Sequence, residues 1–409
     1  MNHDRANQIQ PRYWMKLVAV FTLGWLVIYA ARTILNPLMG HIKTEFTLNN
    51  AQLGLMMSLF FIGYTATRIP SGIMGDKIGR KKILVPSFLI FGIFMVITGL
   101  MPSYILLVIA WVIVGLAQGM FYGPQYALSS EAIPEKNITL GSALINSGMA
   151  FGTSIGYFIS SITVSEMGMS WRTPFFIVAI PILIIAFLMY RIIKERPRHQ
   201  VQQENNLAPF KLSTLFKNRN LILAYIIIFC SIYGFFMIIT WLPYYLESER
   251  GISGAQVAFV ASLVPWAAIP GSLFFSWLSD RLGRRKPVLM IMLPLAFIFT
   301  ASIVFFDNLA ILYIALIGYG IVGKISTNPV LIAVVADNAP KNALGTSFSV
   351  YNFIGMTASI LAPYITGFLT DVTGSMAIGF YLAAFLLLVG FSASLLLREQ
   401  RKSAHAQSS

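Results

Sequence analysis

Charged residues are scarce in this sequence: 11% of its 409 residues are Asp, Glu, Lys or Arg, against about 25% in an ordinary soluble domain. The bulk of such a chain cannot face water. Cysteine is scarcer still. Cys230 stands alone, so no internal disulfide and no cysteine-based metal site can form, and redox chemistry has no support. Of the four histidines, His41 falls at the outer end of the first apolar run and the others fall in the tails or a central polar stretch. None of the fifteen acidic residues lies in the middle of an apolar run. No His-Glu-x-x-His pattern, paired membrane aspartates or Ser/His set is present, so an enzyme is not expected, and neither is a cofactor or a metal.

What the chain does have is apolar length, with 57% hydrophobic residues. A helix rises 1.5 Å per residue and the hydrocarbon core of a bilayer is about 30 Å thick, so about 20 mostly apolar residues span it. Twelve such runs are expected, near 14–38, 52–75, 83–101, 105–130, 139–163, 173–193, 220–246, 254–279, 287–306, 308–336, 345–370 and 376–397. The fold class is therefore an all-α integral membrane protein. The first run lacks a small-residue cleavage pattern and is followed by many equivalents, so it reads as a retained helix rather than a signal peptide.

A net charge of +14 invites a nucleic-acid reading, which the placement of the cations excludes. With both termini cytoplasmic, 23 of the 29 basic residues fall on cytoplasmic segments. These are Arg5, Arg12 and Lys16, then Lys77 to Lys82, Lys136, Arg191 to Arg219, Arg281 to Lys286, Lys341, and Arg398 to Lys402. Only Lys43, Arg172 and Arg250 fall on outer loops. Basic loops stay inside during insertion, which leads to a multi-pass protein of a bacterial cytoplasmic membrane whose surroundings are lipid.

The chain repeats itself. Gly75 to Lys82, G-D-K-I-G-R-K-K, recurs as S-D-R-L-G-R-R-K at Ser279 to Lys286, an offset of 204. The stretch ending at Pro134 parallels the one ending at Pro340, an offset of 206. Glu131 then corresponds to Asp337, and Gln118 to Lys324. The expected organisation is an N-terminal six-helix half over 1–193, a cytoplasmic linker over 194–219, and a C-terminal six-helix half with its tail over 220–409.

Parallel six-helix repeats related by an axis along the membrane normal resemble the major facilitator arrangement. The loop that carries Gly72, Asp76, Gly79, Arg80 and Lys81, with Asp280, Gly283, Arg284 and Arg285 in the second half, is similar to that family's signature. The resemblance implies a cytoplasmic latch that breaks during alternating access. Asp76, Arg80, Glu131, Asp280, Arg284 and Asp337 are accordingly expected to gate rather than to bind substrate. It also implies rocking of 1–193 against 220–409 around a midplane site, with Gly123-Pro124 and Asn328-Pro329 loosening helices 4 and 10.

Charge at bilayer depth costs several kcal/mol unless it faces protein or a water-filled cavity. Three cations meet that description: Arg32 in helix 1, Arg68 in helix 2 and Lys324 in helix 10. Arg68 lies about two turns before Gly75, so its side chain can snorkel to the interface. Tyr29 and Asn36 share a helical face with Arg32. Helix 4 repeats that polar face with Gln118, Tyr122 and Gln125, and helix 10 adds Asn328 beside Lys324. Tyr64 in helix 2, Trp241, Tyr244 and Tyr245 in helix 7, Asn146 and Asn352 complete the polar and aromatic set. Such residues line an aqueous cavity suited to an anion, the cations meeting its charge and the amides and phenols its hydroxyls.

Several stretches further resemble the anion:cation symporter branch, whose members carry sugar acids and other organic anions with protons or sodium. They are Y-A-A-R-T-I-L-N at Tyr29 to Asn36, W-L-P-Y-Y-L at Trp241 to Leu246, Y-N-F-I-G, and A-P-Y-I-T-G at Ala362 to Gly367. The resemblance implies that Arg32 is the principal anion-binding residue, aided by Asn352 and Tyr245. Two departures concern coupling. Ala31 stands where many members have an acid, and Gln118 where they have a glutamate. A carrier coupled to protons ordinarily needs a buried group whose charge changes with state. Here Lys324, with a pKa lowered by desolvation, or a weak-acid substrate carrying its own proton would have to serve.

The expected function is thus secondary active transport of a small organic anion, either a carboxylate, a sugar acid, a sulfonate or a phosphonate. Proton-coupled symport or anion exchange would drive it, with a proton or counter-anion as partner and a monomer as the unit. A multidrug/proton antiporter is the alternative. It predicts few fixed cations and a membrane-embedded carboxylate.

Overall fold

In the hydrocarbon core no water is present to satisfy backbone N–H and C=O groups, so a spanning segment must close its hydrogen bonds within itself. The computed structural model obeys that demand: among the residues it describes, 13–134, 137–194, 212–340 and 343–398, every regular element is helical. Most of the 194–219 linker, and Arg5, Arg12, Lys136, Lys341, Arg401 and Lys402, lie outside them.

The helices run in the order α1 (Tyr13–Thr33), α2 (Met39–Glu45), α3 (Asn50–Ile78), α4 (Lys81–Leu100), α5 (Tyr104–Ala132), α6 (Ile138–Ser160) and α7 (Thr173–Ile192). They continue with α8 (Arg219–Ser248), α9 (Ala255–Leu282), α10 (Lys286–Phe305), α11 (Leu309–Val322), α12 (Lys324–Asn338), α13 (Leu344–Thr373) and α14 (Ala377–Leu395). A 3₁₀ turn, Asn36–Leu38, joins α1 to α2, and a π-helical segment, Ser161–Glu166, prolongs α6. With α1–α2 and α11–α12 counted as single runs, twelve long helical runs result, at the expected places. Ten of them are long and apolar enough to cross a membrane.

One expectation about helix breaks needs correction. Helix 10 is not one run. It breaks at Gly323, whose φ of −74° and ψ of −162° interrupt the helix between α11 and α12. Freed carbonyls are taken up by hydroxyls: Thr327 Oγ1 donates to Val322 O at 2.9 Å and Ser326 Oγ to Gly320 O at 3.3 Å, while Gly323 O accepts from Thr327 N as the first bond of α12. Pro124 and Pro329 sit inside α5 and α12, each removing one backbone donor from its helix.

The chain divides into two compact units. The first comprises Met1–Leu48, Leu55–Glu204 and Pro243–Phe259, and the second Asn49–Gly54, Asn205–Leu242 and Val260–Ser409. In the first, α1 packs against α6 through three glycines one turn apart. A Cβ at Gly148, Gly152 or Gly156 would stand 2.2 to 2.4 Å from the carbonyl oxygens of Thr22, Leu26 and Ala30, respectively. Only glycine permits so close a backbone approach, the small-residue packing by which helices associate in lipid. The same device sets α5 against α3, where a Cβ at Gly115 or Gly119 would meet Phe60 O at 2.4 Å or Tyr64 O at 2.2 Å.

Candidate functional site

The glycine contacts set α1 against α6 and α5 against α3, and the polar faces of α1, α3 and α5 meet at Arg32. Arg32 lies in the last turn of α1 and is 5% exposed. There the carbonyl end of the helix dipole favours a cation. Its Nε donates to Gln118 Oε1 of α5 at 2.8 Å. Its guanidinium carbon lies 4.2 Å from the centroid of the Tyr64 ring on α3 and 4.9 Å from that of Tyr29. A cation over an aromatic face gains up to about 2 kcal/mol when desolvated, so the two rings and the amide offset part of the penalty of burying the charge.

The rest is left for something else. No carboxylate forms an ion pair with Arg32 among the described residues. Arg32 Nη2 and Gln118 Nε2 are both buried with no hydrogen-bond partner in the protein. Two buried donors without acceptors, one of them charged, are costly in a finished fold and call for an acceptor from outside.

Arg68, which the sequence placed within snorkelling reach of the interface, instead stacks on Tyr122 of α5, with its guanidinium carbon 3.6 Å from the ring centroid and 5.3 Å from that of Tyr64. Tyr64 therefore stands beside both arginines. The spacing from Tyr64 to Arg68, four residues along α3, was the available signal for this second cation of the cluster. The structure thus gathers Tyr29, Arg32, Tyr64, Arg68, Gln118 and Tyr122 in one place.

Other candidates have structural partners. Gln125 accepts from Trp25 Nε1 at 3.1 Å and donates to Ser129 Oγ at 2.8 Å. Its amide bridges helices within the first unit. Asn36 is hydrogen-bonded to Tyr157, and Tyr126 donates to Asn146 Oδ1 at 3.4 Å. Trp241 is fully buried and donates to Pro363 O at 3.2 Å. Tyr245 Oη accepts from Arg250 Nε at 2.7 Å.

In the second unit, Lys324 occupies the first position of α12, just after the break, with its Nζ 5.3 Å from the Phe235 ring centroid. A lysine at a helix N-terminus adds its charge to the positive end of the dipole, so the two reinforce one another toward an anion. Asn328, one turn further on, accepts from Tyr351 Oη at 3.0 Å. Asn352 is half-buried on α13.

At the loops with repeated sequence, Arg80 pairs with Asp76 at 3.1 Å and with Glu131 at 2.6 Å. In the second unit Arg285, the residue after Arg284, makes the two pairs. Its Nη1 lies 2.7 Å from Asp280 and its Nε 3.6 Å from Asp337. Each guanidinium joins the end of one helix to the end of another, and Gly79 and Gly283 make the turn at φ of +109° and +59°. No group of three or more His, Cys, Asp or Glu residues suited to a metal occurs among the described residues.

Comparison with known proteins agrees with this architecture. The Major Facilitator Superfamily matches residues 21–251 and 224–409. The chain is 25% identical to the hexuronate transporter of Bacillus subtilis, over 90% of this chain and 91% of that one. It is 27% identical to a probable sulfoacetate transporter of Cupriavidus necator, over 93% and 92%. Among solved structures, a bacterial homologue of the human lysosomal transporter Spinster, in an inward-facing and occupied conformation, superposes with a TM-score of 0.81 at 15% identity. That match covers 94% of this chain and 97% of the other. The repeat, the helical runs and the paired loops are accounted for together: this chain belongs to the Major Facilitator Superfamily, and it is a membrane transporter, not an enzyme.

Proposed function

We propose that this transporter moves a small organic anion, a carboxylate, sugar acid, sulfonate or phosphonate, by alternating access, in proton symport or in exchange for a counter-anion. One observation carries the reading: Arg32 is buried, has no carboxylate partner among the described residues, and keeps an unpartnered Nη2, while Gln118, which accepts from its Nε, keeps an unpartnered Nε2. An oxyanion supplies both the missing charge and the missing acceptors, and a guanidinium binds such groups through parallel N–H bonds. Tyr29, Tyr64 and Tyr122 add rings and hydroxyls around it, with Arg68 as a further cation. Lys324 is the second unit's own cation for this chemistry.

Relatives named for hexuronate and sulfoacetate support the same class of substrate. We place the protein in a bacterial cytoplasmic membrane as a monomer with both termini cytoplasmic, on the asymmetry of its basic loops. Arg80 with Asp76 and Glu131, and Arg285 with Asp280 and Asp337, are assigned to gating.

The test is thermal stabilisation of the purified protein by glucuronate, sulfoacetate, a phosphonate and lipophilic cations, with Arg32→Ala and Lys324→Ala alongside, since a ligand of the folded state raises apparent stability. Stabilisation by an anion, absent in Arg32→Ala, is expected. Stabilisation by lipophilic cations alone, equal in both variants and the parent, would sink the anion reading in favour of a multidrug exporter.

A further inference from the structure

The bond between Arg32 and Gln118 has an unusual feature. Arg32 Nε donates to Gln118 Oε1 at 2.8 Å. Nη2 is one carbon away from that Nε, and Nε2 is one carbon away from that Oε1. The two buried nitrogens that no protein atom accepts from therefore border the same hydrogen bond. Tyr64 and Tyr29 stack on the guanidinium, and Gly119, beside Gln118, holds α5 against the α3 backbone.

Gln118 is uncharged. It fixes the guanidinium by accepting from it, yet contributes no negative charge to compete with a ligand. A carboxylate at the same place would take both N–H groups on that edge and cancel the charge, and an incoming anion would have to wait for its protonation. The titratable and charged groups that face the pair are Tyr29 on α1, Tyr64 and Arg68 on α3, and Tyr122 on α5. From α6, Tyr157 bonds Asn36. These are phenols and a guanidinium; no carboxylate or imidazole is among them.

Building on the proposed anion substrate, we propose that Arg32 and Gln118 form one recognition unit. In it, Nη2 and Nε2 donate to a single carboxylate or sulfonate group, and the neutral amide lets that group bind without uptake of a proton. Gln118 is then the residue that sets the proton dependence of binding, and the binding step is that of an anion exchanger or of a carrier whose proton enters elsewhere.

The experiment measures the affinity of purified protein for glucuronate and sulfoacetate between about pH 5.5 and about pH 8, a window in which both probes stay fully ionised. The parent is expected to hold its affinity within about threefold across the window. In Gln118→Glu, affinity at the alkaline end should fall by about tenfold or more and return on acidification, at no more than about tenfold per pH unit, the limit for one coupled proton. Return of binding in acid also shows that the variant is folded. Gln118→Met, of similar length without the amide, should bind more weakly at every pH with the profile still flat. A parent affinity that drops about tenfold with rising pH, or a Gln118→Met protein that binds like the parent, overturns the role of Gln118 and leaves the anion substrate standing. Failure of the parent to bind any anion overturns the substrate reading itself.

Discussion

Asp371, near the end of α13, caps the start of α3 at Asn50. Its Oδ1 accepts from Asn50 N at 2.9 Å and Asn50 Nδ2 at 2.8 Å, and its Oδ2 accepts from Ala51 N at 2.7 Å. At a distance of 205 residues in each direction the arrangement recurs: Glu166, after α6, accepts from Ala255 N at the start of α9 at 2.8 Å. A carboxylate on the unpaired N–H groups of a helix start is favoured by both hydrogen bonding and the dipole.

Asp371→Asn keeps the shape and removes the charge. A hydrogen bond to a charged group contributes about 1.5–3 kcal/mol against about 1 for a neutral one, and the exposure of Asp371 reduces that difference to roughly 1 kcal/mol. The loss should be local. Hydrogen exchange at Asn50 to Leu53 is expected to quicken severalfold while the middle of α3 is unchanged; equal exchange in both proteins would show that water caps the helix as well as Asp371 does.

The cations proposed to gate, Arg80 and Arg285, stand one residue off the 204-residue repeat. Because Arg285 reaches both Asp280 and Asp337, Arg285→Ala should lower the thermal stability of the purified protein, and Arg284→Ala should lower it less. Partly exposed pairs contribute about 0.2–1 kcal/mol each, and salt screens them. The gap between the variants should therefore narrow at high ionic strength. An Arg284→Ala variant that is the weaker of the two would return the gating role to Arg284.

The repeat located the paired loops, because Asp and Arg recur at the same offset, but not that Arg285 is the arginine 2.7 Å from Asp280. The distance from carboxylate to cation is four residues in Asp76–Arg80 and five in Asp280–Arg285, and that depends on how Gly283 turns. The helical runs and the polar face of Arg32 were legible because apolar length and helical spacing follow from the bilayer and from 3.6 residues per turn. The break at Gly323 was not, since the run Leu309–Asn338 taken whole is still apolar enough to span and the hydroxyls that stitch it are common in helices. Gln125 looked equivalent to Gln118 by spacing. Its amide is taken by Trp25 and Ser129, partners that periodicity does not reveal.

The glycines of α6 carried a signal of their own, four residues apart at Gly148, Gly152 and Gly156. A Cβ at Gly152 would lie 2.2 Å from Leu26 O, so Gly152→Ala must push α1 and α6 apart, and overpacking of this kind costs about 1–3 kcal/mol. Since Arg32 rides on α1, anion-induced stabilisation should weaken along with the basal melting temperature. Gly72→Ala is the control: nothing stands within 4 Å of a Cβ there, and alanine is about 1 kcal/mol better than glycine in a helix. A Gly152→Ala protein as stable as Gly72→Ala would mean that the helices can separate without loss.

Arg32→Lys tests whether charge alone is enough at the first unit's site. Lysine keeps the positive charge but replaces a planar fork with a point charge, so it cannot donate to Gln118 Oε1 and present a second N–H beside Gln118 Nε2 in the same fixed geometry. It also stacks less well on Tyr64 and Tyr29, whose centroids lie 4.2 and 4.9 Å from the guanidinium carbon. Loss of one charge-assisted hydrogen bond, about 1.5–3 kcal/mol, corresponds to a fall of about tenfold to a hundredfold in affinity for sulfoacetate or glucuronate. The lysine protein should remain folded, because the charge at the carbonyl end of α1 is retained. Affinity equal to that of the parent would show that the anion is held by field rather than by the directed pair of donors, and Arg68, stacked on Tyr122 at 3.6 Å, would then be the cation to replace next.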